Sequence, residues 1–227
     1  MRPGLAILAS GQGTTAEAVI KAYAAKPDSP EVRLVIASKA SAGILGRVDE
    51  LNARYNLVIT KAVIGKETHP ASTGETIVLG QQSIAEEQAL IDILNDAKID
   101  LVLLLGYMRR IGTTIVRNYG WQQSYESLYQ ARMLNTHPGL LPETKGLFGV
   151  HVQEHVLEHD LPYGGQTLHI VAEDYDDGPT IREHKVRVEP GDTPDSLFSR
   201  VKLVEQESLP GDIEDFIRKR KKYLEQR

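Results

Sequence analysis

Asn135 and His137 stand two residues apart in the stretch Met133-Leu134-Asn135-Thr136-His137-Pro138, and on an extended segment they point to the same side. An amide can donate to a developing oxyanion, and an imidazole can carry a proton near neutral pH. Pro138 cannot donate to a sheet ladder and biases His137 away from helical dihedrals. A strand should therefore end there, leaving both groups on one face of a turn. Taken alone, the pattern also fits a strand end capped by polar residues.

Other stretches carry chemistry of their own. Ser10-Gly11-Gln12-Gly13-Thr14-Thr15 lies between an apolar run and a helix-forming one, a layout that aims free N–H groups at an anion. It lacks the Lys of a Walker loop and the third Gly of a dinucleotide fingerprint, and a tight turn with Thr14 or Thr15 as helix cap is the alternative. Glu173, Asp174, Asp176 and Asp177 crowd one turn, without the spacing of a calcium loop. His151, His155 and His159 are spaced by four, but no carboxylate completes a recognised metal set, so exposed helix histidines are expected. The basic run Arg218 to Lys222 suits a solvated helix C-terminus.

These groups need elements to hold them. Leu5–Ala9, Val32–Ala37, Leu57–Val63 and Asp100–Gly106 read as strands, the last the most apolar and so central. Ala16–Ala25, Ala42–Tyr55 and Ile84–Ala97 read as the intervening helices, with Ile84, Leu90, Ile91 and Leu94 facing inward. Residues 64–82 form a long loop with a short strand at Ile77–Leu79, and Thr113–Asn118 a helical turn. Trp121, Tyr125, Leu128 and Tyr129 make an amphipathic stripe that faces the core or a second copy of the chain, a homodimer being the oligomer to consider. Beyond the Asn135/His137 strand come a helix at Val150–His159, strands at Gln166–Val171 and Thr180–Val188 (the latter polar and at an edge), and two helices at Asp195–Gln206 and Asp212–Leu224. The fold class is a single Rossmann-like α/β domain over residues 1–227, its mostly parallel sheet covered by helices on both faces. The polar stretches would then share one rim of the sheet.

Composition narrows the function. With 227 residues the chain can bury a substantial core, and its net charge of -5 argues against a general nucleic-acid or anionic-membrane binder. The absence of Cys excludes disulfides, thiolate metal ligands and a Cys nucleophile. No apolar run approaches the roughly 18 to 20 residues that span a bilayer, and the N-terminal run is too short for a secretory signal, so a cytoplasmic location is expected.

Ser-Gly-Gln-Gly-Thr-Thr, Gly-Tyr-Met-Arg-Arg-Ile, Asn-Thr-His-Pro-Gly-Leu-Leu-Pro and Asp-Tyr-Asp-Asp-Gly-Pro occur here in the order that characterises the folate-dependent formyltransferase superfamily. The chain resembles that superfamily over residues 4–210, and the N-terminal Gly-x-Gly-Thr points to its glycinamide ribonucleotide branch. The resemblance implies formyl transfer from 10-formyltetrahydrofolate to the amine of glycinamide ribonucleotide, with these small molecules as partners and no metal. It implies that Asn135 stabilises the oxyanion, that His137 shuttles the proton and that Asp176 orients the imidazole and favours its charged form. Gly13, Thr14 and Thr15 would bind the substrate phosphate and Glu205 the ribonucleotide. Met108, Arg109, Arg110 and Ile111 would meet the pterin, mainly through backbone groups, with Asn135 beside them. Residues 1–106 would form the phosphate-binding half and 107–227 the folate-binding and catalytic half. The sequence departs from the family at Thr15, where Asn is usual, and at Asp177, where Gly is usual. Residues 121–130 look inserted, and residues 64–85 lack an Arg that often holds the folate tail. Two alternatives accompany this expectation: another formyl-folate enzyme, whether a hydrolase or a transferase to a different amine, and a non-catalytic folate- or nucleotide-binding protein.

Overall fold

A computed structural model describes residues 2–24 and 26–227. In chain order the elements are β1 (Gly4–Ala9), α1 (Thr14–Ala24), β2 (Glu31–Ala37), α2 (Ile44–Tyr55), β3 (Thr60–Val63), α3 (Ile84–Asp96), β4 (Leu101–Leu104), α4 (Thr113–Tyr119), β5 (Met133–His137), α5 (His151–Glu158), β6 (Tyr163–Ile170), β7 (Thr180–Arg187) and α6 (Pro194–Glu225). The strands form one seven-stranded sheet in the order β3-β2-β1-β4-β5-β6-β7. Every pairing from β3 to β5 is parallel, whereas β6 and β7 run antiparallel to their neighbours. The expected α/β class therefore stands, with β4 in the middle and the polar β7 at an edge.

The apolar runs explain the layers. Strands buried on both faces need apolar side chains at every position, and alternation sends them to two cores. Leu5, Ile7, Leu103 and Leu134 pack with α1, α2 and α6, whereas Ala6, Leu8, Leu104 and Met133 pack with α3 and α4. Among the described residues, no helix is long and apolar enough to cross a membrane.

Several expectations are corrected. The third strand begins at Thr60 rather than Leu57. No strand forms at 77–79; the nearest pairing is an isolated bridge from Gln81 to Arg110. Ile84 is 70% exposed because the Ser83/Glu86 capping box starts α3 there and turns its first residue to solvent. Ala25, expected to end α1, lies outside the described residues.

The two C-terminal helices are one. α6 runs through Pro210 and Gly211 without a break, although an interior proline typically costs about 3 kcal/mol. Burial of Leu209, Ile213 and Phe216 along one face, and a hydrogen bond from the Tyr23 hydroxyl to the Pro210 carbonyl (2.8 Å), offset that cost. The aromatic stripe is not helical beyond a single 3-10 turn at Leu128–Gln130, yet it does face the core. The Tyr129 ring lies 5.5 Å from Phe216 and 6.4 Å from Tyr223, and Arg220 donates to the Tyr129 carbonyl. Phe216→Ala should therefore lower unfolding free energy by about 3–5 kcal/mol in urea titrations. A loss below about 1 kcal/mol would show that α6 is not anchored through this ring.

Candidate active site

β5 ends at His137, immediately before Pro138. Asn135 and His137 leave one face of the strand and Thr136 the other, as period-two alternation requires. Parallel pairing sets Leu104 beside Asn135, and antiparallel pairing sets His169 of β6 on its other side. Asp176 cannot come from the shared rim that the sequence suggests. Because β6 is antiparallel, the turn after it begins at the opposite end of β5, and residues 171–179 fold back over the sheet to deliver the carboxylate. Gly178 permits this: a Cβ there would sit 1.7 Å from the Ile170 carbonyl oxygen. Asp176 itself adopts φ +53°, a left-handed backbone that Asp tolerates better than most residues.

The centre is compact and nearly dry. His137 is 3% exposed and Asp176 8%. His137 Nδ1 is 3.4 Å from Asp176 Oδ2, and His137 Nε2 is 3.0 Å from Thr144 Oγ1. Asp176 Oδ2 also accepts from the Gly146 N–H (3.2 Å), and Asp176 Oδ1 lies 3.5 Å from His169 Nε2. His169 Nδ1 is 3.0 Å from the Ile170 carbonyl oxygen, so this nitrogen carries its proton. Nε2 then accepts from Asn135 Nδ2 at 3.0 Å, leaving Asn135 its second amide N–H for another oxygen. His169 is the residue that sequence reasoning missed. It lies inside an apolar strand, and only the β5/β6 register places it opposite Asn135.

Burial pushes the His137 imidazole below its ordinary value of 6.5; Asp176 opposes this, and His169 adds to it. The carboxylate thus acts in the expected direction but is outweighed, so His137 rests neutral at neutral pH. For Asp176, burial raises the pKa, but the neighbouring His169 and His137 rings and the Gly146 N–H together hold the carboxyl below its usual range.

The Ser10–Thr15 turn follows the carboxyl end of β1, and α1 after it packs on the face of the sheet opposite the cleft. Gly13 adopts φ +72°, and a Cβ there would meet Ile44 at 2.4 Å, so the turn requires glycine. The first α1 bond runs from the Glu17 N–H to the Gly13 carbonyl oxygen (2.8 Å), and the N–H groups of Thr14, Thr15 and Ala16 precede any intrahelical acceptor. The Thr15 hydroxyl, by contrast, points inward to Glu205 Oε2 at 2.8 Å. Glu205 is 4% exposed; it also accepts from the Thr136 hydroxyl (2.8 Å) and pairs with Lys202 (2.9 Å).

Tyr107, Arg109, Arg110 and Ile111 line a cleft together with Leu104, Asn135, His169 and the 171–176 segment; Met108 is not part of its lining. The Met108 N–H donates to Ser10 Oγ (2.8 Å), which ties this segment to the end of β1, and the Met108 side chain is 56% exposed. Arg109 is ion-paired with the buried Glu86, and Arg110 donates to the Glu173 carbonyl (3.2 Å). Ile111 is buried. Both guanidinium groups are thus engaged by the protein. Among the described residues no group of three or more His, Cys, Asp or Glu side chains could hold a metal.

An α/β domain with an amide and a carboxylate on one cleft, and a buried imidazole set against that carboxylate, is an architecture suited to acyl-type transfer. Residues 4–213 match the model of the formyl transferase family, and the chain belongs to that family. It is 28% identical over 206 residues to phosphoribosylglycinamide formyltransferase of Escherichia coli, covering 91% of this chain and 83% of that one. It is also 29% identical over 206 residues to the trifunctional purine biosynthetic protein adenosine-3 of Bos taurus, but spans only 17% of that protein's length. The crystal structure of phosphoribosylglycinamide formyltransferase from Bacillus halodurans superposes with a TM-score of 0.75 at 30% identity, over 94% of this chain and 95% of that one.

The two shifted groups carry a pH signature. The unfolded chain protonates His137 near pH 6.5 whereas the folded chain does so only lower, so stability falls as pH drops below 6.5. The contribution of Asp176 is full above its unfolded value of 3.8 and is lost as pH falls through the lower folded value. Urea midpoints should decline as pH falls below about 6.5 in the wild type, and His137→Asn should flatten that decline. An unchanged slope in the variant would contradict the assignment.

Proposed function

We propose that this chain transfers the formyl group of 10-formyltetrahydrofolate to the amine of glycinamide ribonucleotide. The observation that carries this reading is that Asn135 and Asp176 line one cleft, with the His137 ring set against Asp176 at 3.4 Å, in a chain similar over most of its length to phosphoribosylglycinamide formyltransferases.

The cleft suits the cosubstrate. Leu104, Ile111 and Val171 offer apolar walls for a flat ring, and the backbone groups of 107–111 and 172–176 offer hydrogen bonds to its edges. When bound, the folate supplies a formyl group on nitrogen. Asn135 uses its remaining N–H to stabilise the negative charge that develops on the formyl oxygen as the amine attacks. His137, neutral at rest, takes the proton the amine sheds and returns it to the departing folate nitrogen. Asp176 offsets the imidazolium charge while it lasts. Gly13, Thr14 and Thr15 hold the substrate phosphate through backbone N–H groups. Glu205 acts on the ribonucleotide from beneath, by fixing Thr15 and the strand that carries the catalytic pair. This reading uses small molecules as partners and requires no metal.

Asn135→Ala should reduce kcat roughly a hundred- to thousandfold, and His137→Ala roughly a hundred- to ten-thousandfold, with far-UV spectra unchanged. Release of tetrahydrofolate should depend on added glycinamide ribonucleotide. Release without the amine would point instead to a hydrolase, and no release to a binding protein.

A further inference from the structure

His137 has two ring nitrogens, and the reaction proposed above needs one of them bare. Thr144, 1% exposed, lies against Nε2. A hydroxyl has a single proton to donate, and that of Thr144 is directed at the Leu140 carbonyl oxygen, 2.8 Å away. Its oxygen can then only accept from His137 Nε2, at 3.0 Å. A proton on Nε2 leaves Nδ1 bare in the neutral ring. Nδ1 faces Asp176 Oδ2 at 3.4 Å.

We propose that Thr144 is a positioning residue that fixes His137 as the Nε2–H tautomer, so that Nδ1, beside Asp176, is the nitrogen that collects the proton during formyl transfer. A lone pair set against a carboxylate is unfavourable, and that strain is relieved when a proton arrives and an ion pair forms. The neighbours of Thr144 hold it in place. Lys145 pairs with Asp177, and the Gly146 N–H donates to Asp176, so three consecutive residues clasp the returning loop and the imidazole together. Asp177 thereby has a partner at the very turn where the sequence departs from its family. The titratable groups facing His137 are Asp176 from the loop and His169 from β6; on the Thr144 side the partners are the uncharged hydroxyl and the Thr144 backbone.

The inference rests on the formyl-transfer reading only for its catalytic consequence, and the test separates the two. Nitrogen-15 spectra of His137 in the wild type above its pKa should show Nε2 protonated and Nδ1 bare. Thr144→Val, close in shape, removes the acceptor and should turn the ring to the Nδ1–H form, lower the pH at which His137 titrates by about one unit, and reduce kcat by about a hundredfold or more. Thr144→Ser should keep the wild-type tautomer, titration and rate. An Nδ1–H tautomer in the wild type, or the same tautomer in wild type and Thr144→Val, would overturn the assignment. Absence of formyl transfer with an Nε2–H tautomer would instead refute the reaction and leave the role of Thr144 standing.

Discussion

At β5 the sheet changes from parallel to antiparallel, and the candidate site depends on that change. The parallel ladder to β4 sets Leu104 against Asn135, and the antiparallel ladder to β6 sets His169 against the same residue. A slip of one residue in either ladder would send the partner side chain to the opposite face. The antiparallel direction also means that the acidic turn starts at the far end of β5 and must run back across it. Asp176 reaches His137 because that turn is stapled along its length, by Arg110 at Glu173 and by Lys145 and Gly146 at Asp177 and Asp176.

The two faces of β5 do different work. Asn135 and His137 point to the cleft side, and Thr136 between them points to Glu205. Glu205 in turn holds the Thr15 hydroxyl, and Gln166 donates to Thr136 at 3.0 Å. One buried carboxylate therefore joins the turn after β1, β5 and α6. Such a group is stable only when its hydrogen bonds are satisfied, and here two hydroxyls and an ammonium supply them.

Most of this fold was legible in the sequence, because buried parallel strands leave continuous apolar runs and helices leave a 3.6-residue period. The end of β5 could be read to the residue, since Pro138 excludes both ladder and helix. Where the reading failed, long-range packing had overruled a local signal. Pro210-Gly211 resembles a helix break, yet α6 continues because its buried face and the Tyr23 hydroxyl hold it. The candidate pair Asn135 and His137 was visible from spacing, and Asp176 through its motif, but His169 and Thr144 were not. Their importance lies in strand register and hydroxyl geometry, which no residue spacing encodes. The Thr15 side chain was likewise expected to face a ligand, and only the fold shows it turned toward Glu205.

The bond between Thr15 and Glu205 joins residues 190 positions apart in the chain. At about 5–20 residues per second, a ribosome needs on the order of ten to forty seconds to make the stretch between them. Throughout that interval the first turn of the domain is already synthesised but lacks the acid that fixes its threonine. Closing so long a loop is also slow relative to local pairing. The nascent chain can thus assemble β1, β2 and their helices early, while the join between the turn after β1 and β5 is sealed only once Glu205 has been made.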